Sequence, residues 1–236
     1  MKKKILLTGS EGSIGQAVYD SLKKKYEIIK VDKVKNSSKF FFKCDLNNSN
    51  HVSKVFKKIK KKFKKIDFLI NCAGQIHNET FLKYEKNFST HSIKSWNSTI
   101  SNNLNVTFNT NKFFVDNFCL NEIINGEKLI INFSSINSKG VKGQAAYSSS
   151  KKAIETFSKV LAQELGILKI RVVCIAPGYF DLVSTNKNLS KNNKNSLINE
   201  TPLRRFGKIK ELIEAINFII SNKFFNGKIL KIDGGL

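Results

Sequence analysis

The sequence predicts an α/β fold in which helices cover both faces of a parallel β-sheet of about seven strands. Short apolar runs alternate along the chain with longer stretches that have the 3.6-residue periodicity of helices. The runs show no alternation of apolar and polar residues, which is typical of strands buried on both faces. The predicted strands comprise residues 5–7, 28–31, 40–42, 68–70, 129–133, 172–176 and 229–232. This order predicts a doubly wound, three-layer α/β/α architecture.

The size and composition of the chain fit one domain spanning residues 1–236. A chain of 236 residues with 41% apolar side chains can fill one sizeable core. No apolar run approaches the ~20 residues that a membrane-spanning helix needs, and the first lysines lead into a strand rather than into a signal-peptide core. The four cysteines lack the spacing of metal ligands. We therefore expect a cytoplasmic protein with no metal site and no membrane partner.

The formal charge of +23 raises the question of a nucleic-acid partner. The excess is almost entirely lysine and is spread along the chain. Arginine, the preferred side chain for contacts with base edges and phosphates, occurs only at positions 171, 204 and 205. The sequence therefore predicts no nucleic-acid binding, although the positive charge is compatible with the attraction of an acidic substrate or cofactor.

A glycine-rich turn follows the first predicted strand and leads into a helix predicted at about residues 14–24. Glycines in the segment from Thr8 to Gly15 let the backbone approach a phosphate, and the start of the helix directs its free N–H groups toward the anion. The next predicted strand ends in Asp32, whose carboxylate can accept hydrogen bonds from an adenosine ribose and would repel a 2′-phosphate. We expect a dinucleotide cofactor, with NAD favoured; Lys33 beside Asp32 keeps NADP possible.

A tyrosine and a lysine follow the predicted strand 129–133. That strand ends in Ser134 and Ser135, and after a short loop Tyr147 and Lys151 are one helical turn apart. The ammonium group would then lie near the phenol and favour its ionised form. The Tyr-x-x-x-Lys spacing occurs three times in the chain, but only here does it open an apolar-periodic helix after a strand that ends in serines. The pattern predicts Tyr147 as an acid or base.

Further motifs occur in a fixed order over nearly the whole chain. They are Asp45, Asn71-x-Ala73-Gly74, the segment from Trp96 to Asn103 and Leu104, Pro177-Gly178, Pro202-x-x-Arg205-x-Gly207, and Asp233-Gly234-Gly235. With the glycine-rich turn and the Tyr-Lys pair, this order resembles the short-chain dehydrogenase/reductase family, whose members have a Rossmann-type fold.

The resemblance implies a cofactor site and a catalytic set. The implied cofactor-binding residues are Gly9, Ser10, Ser13, Ile14 and Gly15 for the pyrophosphate, Asp32 for the ribose, Asp45 with Leu46 for the adenine, Asn71, Ala73 and Gly74 beyond the fourth strand, and Pro177 with Gly178 at the nicotinamide. The implied catalytic residues are Asn103, which would anchor a proton-relay water, Ser135, Tyr147 and Lys151, the last two also in contact with the cofactor.

Two departures from the family pattern leave alternatives open. Ser13 replaces the middle glycine of the turn and Gly12 comes one residue early, a spacing that also resembles the sugar-nucleotide branch of the family. Alignment of the strand favours Ser135 as the catalytic serine, whereas counting back from the tyrosine favours Ser134. We prefer Ser135 and keep Ser134 as the alternative.

The segment from residue 181 to about 207 is predicted to form a mobile lid over the substrate. Residues 181–201 are rich in Asn, Lys and Ser, and the family resemblance implies that this segment covers the substrate. The threonine usual after Pro-Gly is Leu182, so Ser184 or Thr185 would have to bond the carboxamide.

The resemblance implies an oxidoreductase that transfers hydride between a nicotinamide cofactor and a small-molecule alcohol or carbonyl substrate. Three alternatives remain: a reductase of 3-oxoacyl groups on an acyl carrier protein, a dehydrogenase of a sugar or polysaccharide precursor, and a module that senses NAD without turnover. The resemblance also implies a homodimer or homotetramer that pairs through long helices predicted at 95–120 and 147–167.

Overall fold

The computed structural model describes residues 2–34, 37–84, 88–120, 127–182 and 190–236. Its main sheet has seven parallel strands in the order β3-β2-β1-β4-β7-β8-β9. These strands are β1 Lys4–Thr8, β2 Glu27–Asp32, β3 Phe41–Lys43, β4 Phe68–Asn71, β7 Lys128–Phe133, β8 Ile170–Pro177 and β9 Ile229–Ile232. The predicted parallel sheet is thus confirmed, with ends within a few residues of those expected.

Helices cover both faces of the sheet, which confirms the predicted layers. They are α1 Ser13–Leu22, α2 Ser49–Phe63, α3 Ile93–Ile100, α4 Val106–Phe118, α5 Ala145–Glu164, α6 Lys191–Glu200 and α7 Ile209–Ser221, with 3₁₀ turns at Ile136–Lys139 and Gly166–Leu168. One apolar core joins the sheet to α2, α4 and α5, and the other joins it to α1 and α7. Neighbouring strand residues point to opposite faces, so Leu6 lies in the first core and Leu7 in the second.

Two features depart from the predicted elements. A two-stranded antiparallel hairpin, β5 Leu82–Tyr84 and β6 Phe88–Thr90, lies between β4 and α3. The helix predicted at 95–120 is divided by a π-helical segment, Ser101–Asn105, between α3 and α4. Within the described residues, no helix is both long and apolar enough to cross a membrane.

A buried network of amide side chains ties the central strands together at their carboxyl ends. The Asn71 amide on β4 accepts a hydrogen bond from Thr8 of β1 and donates one to Asn132 of β7. Asn132 also receives a hydrogen bond from Asn111 of α4 and donates one to Ser158 of α5. All five side chains are buried. The chain reverses its direction of travel across the sheet between β3 and β4, so these carboxyl ends border the crevice where ligands bind in such folds.

The ends of the predicted lid are held together. The backbone of Phe180 bridges that of Gly207, with hydrogen bonds from Asp181 N to Gly207 O (2.9 Å) and from Gly207 N to Tyr179 O (2.9 Å). Between them, α6 exposes most of its surface. Ser184 and Thr185, the candidates for a bond to a carboxamide, lie outside the described residues.

Candidate active site

The glycine-rich turn packs directly on the loop after β4. Gly9 has a φ angle of +64°, and a Cβ atom there would lie 2.5 Å from the Ala73 nitrogen. A Cβ atom at Gly15 would lie 2.1 Å from the Gly9 oxygen. Both positions therefore exclude any side chain. Gly12 has an ordinary extended backbone (φ −74°), and Ser13 is the first residue of α1, so the displaced glycine leaves the turn intact.

A cavity of about 390 Å³ opens beside this turn. It is lined by residues predicted to bind the cofactor and by others that were not assigned to it. The first group comprises Gly9, Asp32, Asp45, Leu46, Ala73 and Gly74, and the second comprises Glu11, Gly12, Lys33, Val34, Cys44, Asn47, Cys72, Gln75, Asn102 and Val106. The cavity thus lies at the carboxyl ends of β1, β2, β3 and β4.

The acidic residues of the cavity are held by backbone N–H groups. The carboxylate of Asp32 accepts hydrogen bonds from Glu11 N and Val34 N, both at 3.0 Å. Asp45 accepts one from Asn47 N, also at 3.0 Å. Fixed carboxylates suit the hydroxyls of a ribose, and the turn beside the start of α1 suits a pyrophosphate. The residues present therefore fit a dinucleotide.

The other predicted cofactor residues lie in the turn, in the network or at the end of β8. Ser10 is fully buried, and Ser13, Ile14 and Gly15 form the first turn of α1. The Asn71 side chain is engaged in the buried amide network. Pro177 ends β8, and Gly178 packs so closely on Asp233 that a Cβ atom would lie 2.7 Å from the Asp233 Cα.

Ser135 and Tyr147 are brought together, whereas Ser134 points elsewhere. The Ser135 hydroxyl interacts with the Tyr147 phenol and lowers the pKa of the phenol, and it accepts a hydrogen bond from Asn137 N at 3.2 Å. The Ser134 hydroxyl instead contacts the Lys151 carbonyl and the Glu155 carboxylate, both at 3.0 Å, inside the core. Of the two serines left open by the sequence, the geometry favours Ser135.

Lys151 is buried beside the tyrosine. Its Nζ atom donates to the Phe133 carbonyl at 3.1 Å and lies 5.6 Å from the centre of the Tyr147 ring. A Cβ atom added at Gly74 would lie 3.1 Å from this Nζ and 2.9 Å from Asn103 Oδ1, so the glycine lets the lysine and the asparagine approach each other. Burial lowers the pKa of Lys151 from 10.5 to about 8.

The pKa of Tyr147 differs from the sequence-based expectation. Burial raises the pKa of the phenol above its usual value of 10, and the hydrogen bond from Ser135 lowers it by less. The sequence-based expectation is that Lys151 and the positive charge of the nicotinamide together lower this pKa, and burial acts in the opposite direction. The physical reason is desolvation, which disfavours the charged form of both groups.

Asn103 is placed by the π-helical segment and is fully buried. Its side chain accepts from Gln75 N (3.1 Å) and donates to Gln75 O (2.8 Å) and Thr99 O (2.9 Å), which fixes the loop after β4 to this segment. Single-turn π segments are frequent at functional sites. The sequence predicted the asparagine but gave no signal for its partner Gln75.

Glu155 is a further residue that the sequence did not reveal. It is buried on α5, one helical turn after Lys151, and accepts hydrogen bonds from Ser134 (3.0 Å) and Ser138 (2.5 Å). It also pairs with Lys152 at 2.9 Å, and these contacts hold its pKa below the usual value despite burial. Glu155 thus binds one serine side chain on each side of Ser135.

The chain is similar to several known proteins. A family model described as "Enoyl-(Acyl carrier protein) reductase" matches residues 17–236. The chain is 30% identical to the 3-oxoacyl-(acyl-carrier-protein) reductase of Buchnera aphidicola subsp. Baizongia pistaciae over all of its length and 97% of that protein. It is 32% identical to the acetoacetyl-CoA reductase of Allochromatium vinosum over 83% of this chain and 76% of that one. The ligand-free aldohexose dehydrogenase of Thermoplasma acidophilum shares the fold, with a TM-score of 0.85 at 24% identity and coverage of 100% of this chain and 94% of that one.

The fold and the site define an oxidoreductase that uses a nicotinamide cofactor and acts on hydroxyl or carbonyl groups of small molecules. The chain belongs to the short-chain dehydrogenase/reductase family, as the order of its motifs predicted.

Proposed function

We propose that the protein interconverts a carbonyl and an alcohol with Tyr147 as the general acid and base. One observation carries this proposal: the Tyr147 phenol interacts with Ser135, which follows β7, and its ring centre lies 5.6 Å from the buried ammonium of Lys151. The phenol would give its proton to the carbonyl oxygen in reduction and take it back in oxidation. Ser135 would donate a hydrogen bond to the same oxygen.

Lys151 and Asn103 support the tyrosine. The Lys151 ammonium is buried, so its positive charge would act strongly on a phenolate that forms during turnover. Asn103, packed against the same glycine, would hold a water that returns protons to the lysine.

We propose that the cofactor is bound by the predicted cofactor residues in the glycine-rich turn, at the cavity and at the end of β8. When bound, the nicotinamide cofactor supplies the hydride. We propose NAD as the preferred cofactor because Asp32 lines the cavity, where its carboxylate would repel the 2′-phosphate of NADP. Lys33, exposed at the same cavity, is the residue that favours NADP.

As substrates we propose 3-oxoacyl or 3-hydroxyacyl thioesters. This class is supported by the names of two relatives, the 3-oxoacyl-(acyl-carrier-protein) reductase and the acetoacetyl-CoA reductase. The positive charge of the chain is consistent with acidic carriers or nucleotide-bearing thioesters.

We further propose one domain, cytoplasmic location, a lid at about 181–207, and a homodimer or homotetramer. The dimer would form through α4 and α5, where Phe108 (49% exposed) and Val160 (42% exposed) present apolar surface and the Phe108 ring lies 6.0 Å from that of Phe157. The backbone hydrogen bonds of Gly207 with Tyr179 and Asp181 hold the two ends of the proposed lid together, and residues 183–189 of the segment lie outside the described residues.

The test is turnover of acetoacetyl-CoA, followed by the loss of reduced nicotinamide absorbance. Tyr147→Phe should lower kcat at least ~100-fold while the affinity for NADH, measured by fluorescence titration, stays within about twofold. Tyr84→Phe is the matched control, because Tyr84 is 77% exposed on the hairpin and should leave both quantities unchanged. Unchanged turnover in Tyr147→Phe would refute the assignment. Binding of NADH without turnover of any thioester, alcohol or sugar would instead indicate a sensing module.

A further inference from the structure

A buried ion pair lies under the glycine-rich turn. Lys30 Nζ on β2 is 2.7 Å from Glu11 Oε1, and the two side chains are 6% and 12% exposed. The lysine also lies 4.6 Å from the centre of the Tyr19 ring on α1. A charged residue in the middle of a buried strand is unfavourable unless it is paired, so this lysine has a specific partner rather than a solvated position.

Glu11 connects this ion pair to the cavity. Its Oε1 atom accepts a second hydrogen bond from Ser10 at 3.0 Å, and its backbone N–H donates to Asp32 Oδ2 at 3.0 Å. Lys30 and Asp32 are two residues apart on β2 and therefore point to the same face of the sheet. The strand thus holds residue 11 at two points, the side chain through Lys30 and the backbone through Asp32.

We infer that Lys30 and Glu11 are positioning residues that fix the Asp32 carboxylate for the ribose hydroxyls of NAD and so set the cofactor preference. The inference rests on the proposed function, since it concerns the cofactor of the same site. Glu11 neutralises the ammonium of Lys30 beneath the turn. Lys30 therefore does not weaken the repulsion between the Asp32 carboxylate and a 2′-phosphate in the cavity. Lys33, exposed at the cavity, is the contrasting lysine.

Two variants distinguish the effect of the charges of Lys30 and Glu11 from the effect of their packing. Lys30→Met keeps most of the apolar stem but leaves the Glu11 carboxylate without its ammonium partner. The turn should then shift toward water and release the hydrogen bond to Asp32. The double variant Lys30→Met/Glu11→Gln replaces both charges and retains an acceptor for Ser10, so the turn should return to its place.

The measurement is the dissociation constants of NADH and NADPH by fluorescence titration, with circular dichroism to confirm folding. Lys30→Met should weaken NADH binding at least about tenfold, the effect of losing one hydrogen bond to a charged group, and should weaken NADPH less. The ratio of the NADPH constant to the NADH constant therefore falls. In the double variant it should recover to within about threefold of the original value. Lys33→Met, the control, should weaken NADPH alone and raise the ratio.

Several outcomes would overturn the inference. Equal weakening of both dinucleotides by Lys30→Met would mean that the lysine only stabilises the fold, and unchanged dissociation constants for both would mean that the pair does not position Asp32. If Lys30→Met does not fold, Glu11→Gln takes its place and must lower the ratio in the same direction. Failure of the unmodified protein to bind either dinucleotide would refute the proposed function itself, whereas normal binding with an insensitive ratio would refute this inference alone.

Discussion

Replacement of Lys151 by methionine should abolish turnover and yet stabilise the fold at neutral pH. Lys151 is 5% exposed, and burial lowers its pKa from 10.5 to about 8. At about 1.4 kcal/mol per pKa unit, burial of the ammonium costs the folded state about 3 kcal/mol. Methionine removes this cost but also the 3.1 Å hydrogen bond to the Phe133 carbonyl. That bond contributes about 1 kcal/mol, so the net gain is about 2 kcal/mol.

The stabilisation of the fold by Lys151→Met should decrease as the pH rises. The folded-state pKa is lower than that of the unfolded chain, so the destabilisation is fully present below pH 8 and disappears as the pH rises to 10.5. At about pH 7 the variant should melt about 4 to 8 °C above the unmodified protein, and at about pH 10 the two should differ by less than about 1 kcal/mol.

Thermal unfolding followed by circular dichroism at several pH values measures this effect. Lys159→Met is the matched control, because Lys159 lies on the same helix but is exposed, and it should show no such pH dependence. A Lys151→Met variant that is less stable than the unmodified protein at neutral pH would refute the reasoning, since the ammonium would then stabilise the fold.

Three other perturbations follow from the site. Gly15→Ala should lose dinucleotide binding in a fluorescence titration because its Cβ would lie 2.1 Å from a backbone oxygen, whereas Gly12→Ala, with its nearest such contact at 3.4 Å, should bind within about threefold of the unmodified protein; equal loss in both would contradict the steric argument. Glu155→Leu should lower kcat about tenfold with little change in KM for the cofactor, because the turn that carries the serine loses two anchors; an unchanged kcat would show that the turn is rigid without it. Phe108→Glu should shift the mass seen by light scattering toward the monomer, and an unchanged mass would place the interface elsewhere.

The parallel sheet could be predicted because its signal is local. Strands buried on both faces need apolar residues at consecutive positions. Each apolar run therefore locates one strand and also the residues at its carboxyl end. The turn before α1 was likewise recognisable because glycine is required at Gly9 and Gly15 by close contacts between backbones. Tyr147 and Lys151 could be placed near the serines from the strand end and the helical spacing, whereas Asn103 came only from the family resemblance.

Other features depend on contacts between distant residues and have no local signal. The hairpin of β5 and β6 is short and largely exposed, so its strands lack apolar runs. The π-helical segment depends on Asn103 binding the loop at Gln75, which a helical periodicity does not show. Desolvation of Tyr147 and Lys151 depends on the packed surroundings, so spacing alone does not show that burial raises the pKa of the tyrosine.

The amide network across β1, β4 and β7 has a consequence for how the protein loses activity. Amide hydrogen bonds are directional, so the network fixes the register of β1, β4 and β7 relative to one another. The ends of these strands carry the glycine-rich turn, the loop at Gly74 and the serines. Local unfolding at one strand end would leave buried amide groups of the other two strands without hydrogen-bond partners. On heating, cofactor affinity and sheet structure should therefore vanish in a single step.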